Sequence, residues 1–207
     1  QRGANRHLYA AEHGLTITGP DGAGIAVCPL DHPLVSLGVP GCWKYSDDYV
    51  PEKPVVYLNL YNNQWNTNFR YWYPGTWSSR VRLWTIGNNT SVNERNLQFM
   101  ARALEARNPL QAAVAEKNGG TLSPVQSGIE LSRPGVIVTA FGEDPDGNTG
   151  TFLRIWEQTG TSGKLTVSLP KKMNVYVATP VNLRGEKQGT PIVIKSGTFE
   201  LELGAYA

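Results

Sequence analysis

Lys164-Leu165-Thr166-Val167-Ser168-Leu169 is the stretch that decides the fold. Leu165, Val167 and Leu169 point to one side of an extended backbone, and Lys164, Thr166 and Ser168 to the other. The same period returns in Thr198–Leu203, where Phe199, Leu201 and Leu203 alternate with Glu200 and Glu202. A strand with one apolar and one polar edge belongs to an antiparallel sheet that is buried on one face and wet on the other. Working outward, short extended segments recur at His7–Ala11, Leu15–Thr18, Gly24–Cys28, Val55–Tyr61, Ser79–Ile86, Gly135–Phe141, Thr151–Glu157, Asn174–Thr179 and Pro191–Lys195. Gly19-Pro20-Asp21-Gly22, Gly38-Val39-Pro40-Gly41, Asp144-Pro145-Asp146-Gly147-Asn148 and Gly160-Thr161-Ser162-Gly163 separate them, with residues that set or tolerate the dihedrals of turns.

One segment breaks the two-residue period. Ser91-Val92-Asn93-Glu94 has the form of a capping box, in which the serine hydroxyl and the glutamate satisfy each other's orphan amides. Behind it Leu97, Met100, Ala101 and Leu104 recur at helical spacing until Asn108-Pro109, so a single helix is expected near 92–106. With no internal repeat and no convincing linker, residues 1–207 read as one all-β domain, a large antiparallel β-sandwich with one short helix.

Composition narrows the function. Gly (22) and Pro (14) are plentiful and charged residues are only 17%, which suits turn-rich β architecture. A net charge of +2 offers no electrostatic case for nucleic acid or membrane partners. No apolar run approaches the roughly 18–20 residues of a membrane span. The amino-terminal residues lack the apolar core of a signal peptide, and the chain enters its first strand almost at once, which suits a domain excised from a longer polypeptide. The compartment is not legible in the residues; the reading leans to an extracytoplasmic one, secreted or periplasmic. Cys28 and Cys42 could pair or could remain two buried thiols.

Catalytic and metal motifs are sparse. His7, His13 and His32 have no spacing that would converge them, and Cys-x-x-Cys and His-x-x-x-His are absent. There is no Gly-x-Ser-x-Gly, and Gly87-Asn88-Asn89-Thr90-Ser91 lacks the lysine and spacing of a phosphate-binding loop. Carboxylates are harder to set aside, because paired carboxylates carry out glycoside hydrolysis. Glu143, Asp144 and Asp146 read as turn-forming and Asp47-Asp48 as a solvated loop. Asp31, in Pro29-Leu30-Asp31-His32-Pro33, is more rigidly held.

The remaining signal is aromatic. Leu58–Tyr73 concentrates five asparagines and six aromatic rings in sixteen residues. Flat apolar rings cover the C–H face of a pyranose, and amides answer its hydroxyls. In the plainest reading Trp65, Phe69 and Trp72 plug the core, while Tyr71, Tyr73 and Trp77, close to Pro74-Gly75, read as loop-borne rings. In the carbohydrate reading Trp72, Tyr73 and Trp77 form an exposed platform, with Tyr71, Asn62 and Asp31 as further candidates.

Within that run, Asn63-Gln64-Trp65-Asn66-Thr67-Asn68-Phe69 resembles the Asn-x-Trp-x-Thr-Asn-Phe motif of the C-terminal β-sandwich region of glycoside hydrolase family 38, the α-mannosidases. Ile25–Val35 resembles the Asp-x-Pro-Leu segment upstream in that family. Arg80–Trp84 is similar to the strand that follows, and Phe152–Glu157 to its later Leu-Arg-aromatic-Glu strand. The pieces fall in order over roughly residues 7–204. The resemblance implies a galactose mutarotase-like supersandwich that supports or lines a sugar-binding cleft, with mannose-containing glycan as ligand. It implies that catalysis and a divalent metal, zinc, reside in an N-terminal catalytic domain of the same polypeptide. No catalytic or metal residue and no cofactor carries over onto this chain. Asn63, Trp65, Thr67, Asn68 and Phe69 are then structural. Two alternatives stay open: a free-standing carbohydrate-binding module presenting Trp72, Tyr73 and Trp77, and a mutarotase-like enzyme using His32 beside Asp31 as acid and base.

Overall fold

The computed structural model describes residues 3–41, 44–61, 72–88, 90–114, 119–121, 123–144, 150–171 and 173–207. Its chain divides into two compact units, Gln1–Leu110 and Gln111–Ala207. The architecture is all-β and antiparallel with one helix, as the alternating segments require.

In the first unit the elements are β1 (Tyr9–Ala10), β2 (Leu15–Thr18), β3 (Gly24–Pro29), β4 (Leu34–Leu37), β5 (Val56–Leu58), β6 (Val81–Ile86) and α1 (Val92–Arg107). They form two three-stranded sheets, ordered β1-β4-β5 and β2-β3-β6. Strand β3 is central, with Leu15 opposite Val27 on one side and Trp84 opposite Ala26 on the other. Ala26 and Cys28 are fully buried. The capping box forms as expected: Glu94 N–H donates to Ser91 Oγ at 3.2 Å, and Ser91 N–H donates to Glu94 Oε2 at 2.8 Å. The buried helical residue is Ala103, whereas Ala101 of the expected stripe is exposed. Phe99 stacks on Trp84 of β6 at 5.7 Å between ring centroids, and Arg107 Nη1 donates to the Pro29 carbonyl at 2.7 Å. Phe99, Ala103 and Arg107 follow one another at four-residue steps, so the stripe with these contacts is offset from the one that hydrophobicity alone marks out.

The second unit holds β7 (Glu130–Leu131), β8 (Val136–Glu143), β9 (Thr151–Glu157), β10 (Gly163–Ser168), β11 (Val177–Ala178), β12 (Ile192–Val193) and β13 (Thr198–Leu203). Strand β10 lies between β13 and β7, β8 pairs with β9, and β11 with β12. The alternation in β10 and β13 is realised in register: Leu165 faces Leu201 and Val167 faces Phe199. Leu165 and Val167 are fully buried and form a core with Val136 and Leu203, against which Leu153 and Ile155 of β9 pack. On the wet face Lys164 Nζ meets Glu200 Oε2 at 2.6 Å. Strands β4 and β7 were not legible in the sequence, and β11 and β12 are each shorter than their alternating segments suggest.

The second unit closes on a buried acid. Glu157, at the end of β9, is 0% exposed. Its Oε1 accepts from the Thr159 amide at 3.0 Å and from the Thr159 hydroxyl; its Oε2 accepts from the Gly160 and Tyr206 amides, both at 2.9 Å. The Glu157 amide donates in turn to the Ala207 carbonyl at 2.8 Å. Burial alone would raise the carboxyl's pKa, but the Thr159 hydroxyl and the three amides outweigh it and hold the group at about 2, below its ordinary 4.5. Because the folded value is the lower one, this stabilisation is complete above pH 4.5 and is lost as the pH falls towards 2. Glu157→Gln turns an amide N–H₂ towards backbone donors and is expected to cost about 2–4 kcal/mol. Urea unfolding at pH 7 measures this. Between pH 4.5 and 2 the wild type should lose stability while the variant, lacking the carboxylate, loses less. Parallel pH profiles would sink this account.

Candidate functional site

The ring-bearing candidates sit on the segment leading into β6. Residues 72–80 carry no strand, and Gly75 takes φ +134° after Pro74, a left-handed conformation that a side chain would strain. Trp72 is 73% exposed, Tyr73 44% and Trp77 71%. An indole ring usually buries most of its surface in a folded protein, so two that are more than two-thirds exposed are unusual. Asn62, Tyr71 and the motif residues Asn63, Trp65, Thr67, Asn68 and Phe69 lie outside the described residues, as does Cys42. Cys28 is a buried free thiol, its pKa raised by burial against the lowering influence of Arg107 and Arg82.

Where the segment meets β6 it is clamped. Asp31 Oδ2 accepts from the Arg80 amide at 2.7 Å and from Arg80 Nε at 3.1 Å, while Oδ1 accepts from Nη2 at 2.8 Å. Leu30 N–H donates to the Arg80 carbonyl at 3.0 Å, and His32 Nδ1 lies 2.9 Å from Ser79 Oγ. Three consecutive residues of the proline-flanked segment thus grip Ser79 and Arg80. Hydrogen bonds from the Arg80 side chain and amide hold the Asp31 carboxyl at about 2, below its ordinary 3.8. Both Asp31 oxygens are occupied, so its visible role is to position the ring-bearing segment. His32 and Asp31 are tied to different partners, an arrangement unlike the poised acid–base pair that a mutarotase-like reaction needs.

Nor do the described residues fit the divalent metal implied by the resemblance. No three His, Cys, Asp or Glu side chains gather among them, and His7 is buried with its ring stacked 4.1 Å from that of Tyr49. Among the described residues, no helix is long and apolar enough to cross a membrane. Comparison with protein-family models, with curated proteins and with solved structures returns no match.

Sequence reasoning noticed Asp31 but not its partner, and it overlooked a row of arginines next to the clamp. Arg82 and Trp84 share one side of β6, with Arg80 in step just before it, while Arg102, Ala106 and Pro109 share one side of the helix and the residues after it. Two depressions of about 230 and 430 Å³ lie along these rows and meet at Ala106.

The clamp makes a specific demand on Asp31. Asp31→Asn removes the charge and one acceptor of the bidentate pair, so chymotrypsin should cut after Trp72 or Trp77 several-fold faster at pH 7 than in the wild type. Equal cleavage rates at matched thermal stability would show that the pair does not hold the segment. Since the folded pKa is the lowered one, wild-type anchoring should persist at pH 5 and weaken only as the pH falls from 3.8 towards 2.

Proposed function

We propose that this chain is a non-catalytic β domain that contacts carbohydrate through Trp72, Tyr73 and Trp77, as an accessory part of an α-mannosidase-like glycoside hydrolase. The observation that carries the reading is the exposure of these three rings on a segment anchored at Ser79 and Arg80. Anchoring lowers the ordering cost of binding, and an exposed indole gives a pyranose ring a flat apolar face. The accessory role is supported by the ordered likeness of Asn63–Phe69 and its flanking segments to family 38. In that role the partners are a mannose-containing glycan and an N-terminal catalytic domain, which would also hold the zinc. Exposure of the same rings also favours a second reading, a free-standing carbohydrate-binding module of the same surface chemistry.

Calorimetric titration of the chain with a mannose oligosaccharide tests the shared core of both readings. The wild type should bind with a Kd in the millimolar range or tighter, and Trp72→Ala/Trp77→Ala should weaken binding at least tenfold without lowering Tm. Unchanged affinity in that double variant would overturn the proposal. Aryl-mannoside turnover by the chain alone, with or without added zinc, would overturn its non-catalytic part. Affinity for mannose oligosaccharides that rises when an α-mannosidase-like catalytic domain is joined upstream favours the accessory role; unchanged affinity favours the module.

A further inference from the structure

The groove beside the clamp has a chemistry of its own. Its larger part, about 430 Å³, is lined by Arg82 and Trp84 from β6 and by Arg102, Glu105 and Ala106 from α1. The smaller part, about 230 Å³, adds Arg80 and Arg107. The larger part is a shallow depression open to solvent rather than an enclosed cavity. Ala106 keeps the junction open because its side chain is a single methyl.

The four guanidinium groups are not equivalent. Arg80 is neutralised by the bidentate Asp31, and Arg107 is turned to the Pro29 carbonyl. Among the described residues, no hydrogen bond or ion pair engages the guanidinium group of Arg82 or of Arg102. Glu105 is the acid beside them in the groove, and it too forms no ion pair there. Two fork-shaped donors without a partner among the described residues, one on each element lining the groove, supply the chemistry that takes a carboxylate or a phosphate. Trp84, half-buried under Phe99, adds an aromatic ring to the same wall.

We propose that the groove between β6 and α1 binds a monosaccharide-sized ligand carrying a carboxylate or phosphate, with Arg82 and Arg102 holding the oxyanion and Trp84 covering the sugar ring. The sugar half rests on the carbohydrate reading above; the oxyanion half stands on the free guanidinium groups alone. Glu105 sets selectivity, because its charge opposes loosely placed anions and leaves those within reach of both arginines.

Calorimetric titration of the full chain with glucuronate, glucose 6-phosphate, glucose and inorganic phosphate tests it. Glucuronate or glucose 6-phosphate should bind at least tenfold more tightly than glucose, and whichever binds identifies the oxyanion. Arg82→Gln/Arg102→Gln should abolish that preference. Glu105→Gln, on the exposed side of the helix, should raise anion affinity several-fold and serves if the double variant does not fold. Trp72→Ala/Trp77→Ala should leave anion binding unchanged, so failure of the ring-segment reading and failure of this one are separately visible. Equal affinity for glucose and the charged sugars, or charged-sugar binding indifferent to both arginine and Glu105 changes, would overturn the proposal. Inorganic phosphate binding as tightly as glucose 6-phosphate would overturn its sugar half.

Discussion

The second unit depends on one carboxylate that never meets water. Glu157 ends β9, and its two oxygens collect the amides of Thr159, Gly160 and Tyr206. A buried ionised acid is tolerable only where its lone pairs are satisfied, and here backbone donors from two distant segments do so. The turn into β10 and the final residues of the chain are thereby joined at one point. Gly160 must be glycine for this: at φ +80° a Cβ there would lie 2.6 Å from the Tyr206 hydroxyl. The core of Val136, Leu165, Val167 and Leu203 supplies apolar burial, while the acid defines where the strands that carry it begin and end.

The first unit uses the same device at its surface. Asp31 gathers the amide and guanidinium of Arg80, Ser91 and Glu94 satisfy each other at the helix start, and the Asp48 carboxylate accepts from the Ser46 hydroxyl. Two of the carboxylates that invite a hydrolytic reading in the sequence, Asp31 and Asp48, therefore have visible architectural duties. Several aromatic and guanidinium groups, by contrast, remain exposed once the fold is made.

Legibility followed range. The capping box was readable because its donors and acceptors are three residues apart, and β10 and β13 because each shows both faces within six residues. Strand β4 was hidden by Ser36, a 3%-exposed polar residue at a position where alternation has no apolar signal; its hydroxyl accepts from the Gly41 amide at 3.2 Å. Strand β7 is two residues long and carries no period at all. Glu157 and Asp31 each find a partner 49 positions away, Tyr206 and Arg80, and no local pattern encodes such a pairing. The exposure of Tyr73 and Trp77 is legible from their place beside Pro74-Gly75, whereas Trp72 could be read as a core plug or as part of an exposed platform. The arginine groove was not legible, since half of it repeats every two residues and half at helical spacing, and only tertiary packing makes the halves neighbours.

Arg80 belongs to both surfaces, and its geometry keeps them distinct. Its guanidinium faces Asp31, so the charge that fixes the ring-bearing segment contributes little net field to the groove it lines. Arg107 is likewise directed at a backbone carbonyl. Each of these two arginines is consumed in holding a loop or a helix end, which leaves anion recognition to Arg82 and Arg102. Exchanging the pairs would not preserve either role: an unpaired Arg80 would release the segment, and a paired Arg82 would quench the groove. The order Arg80, Arg82, Trp84, running from the residue before β6 into the strand, therefore separates anchoring from recognition.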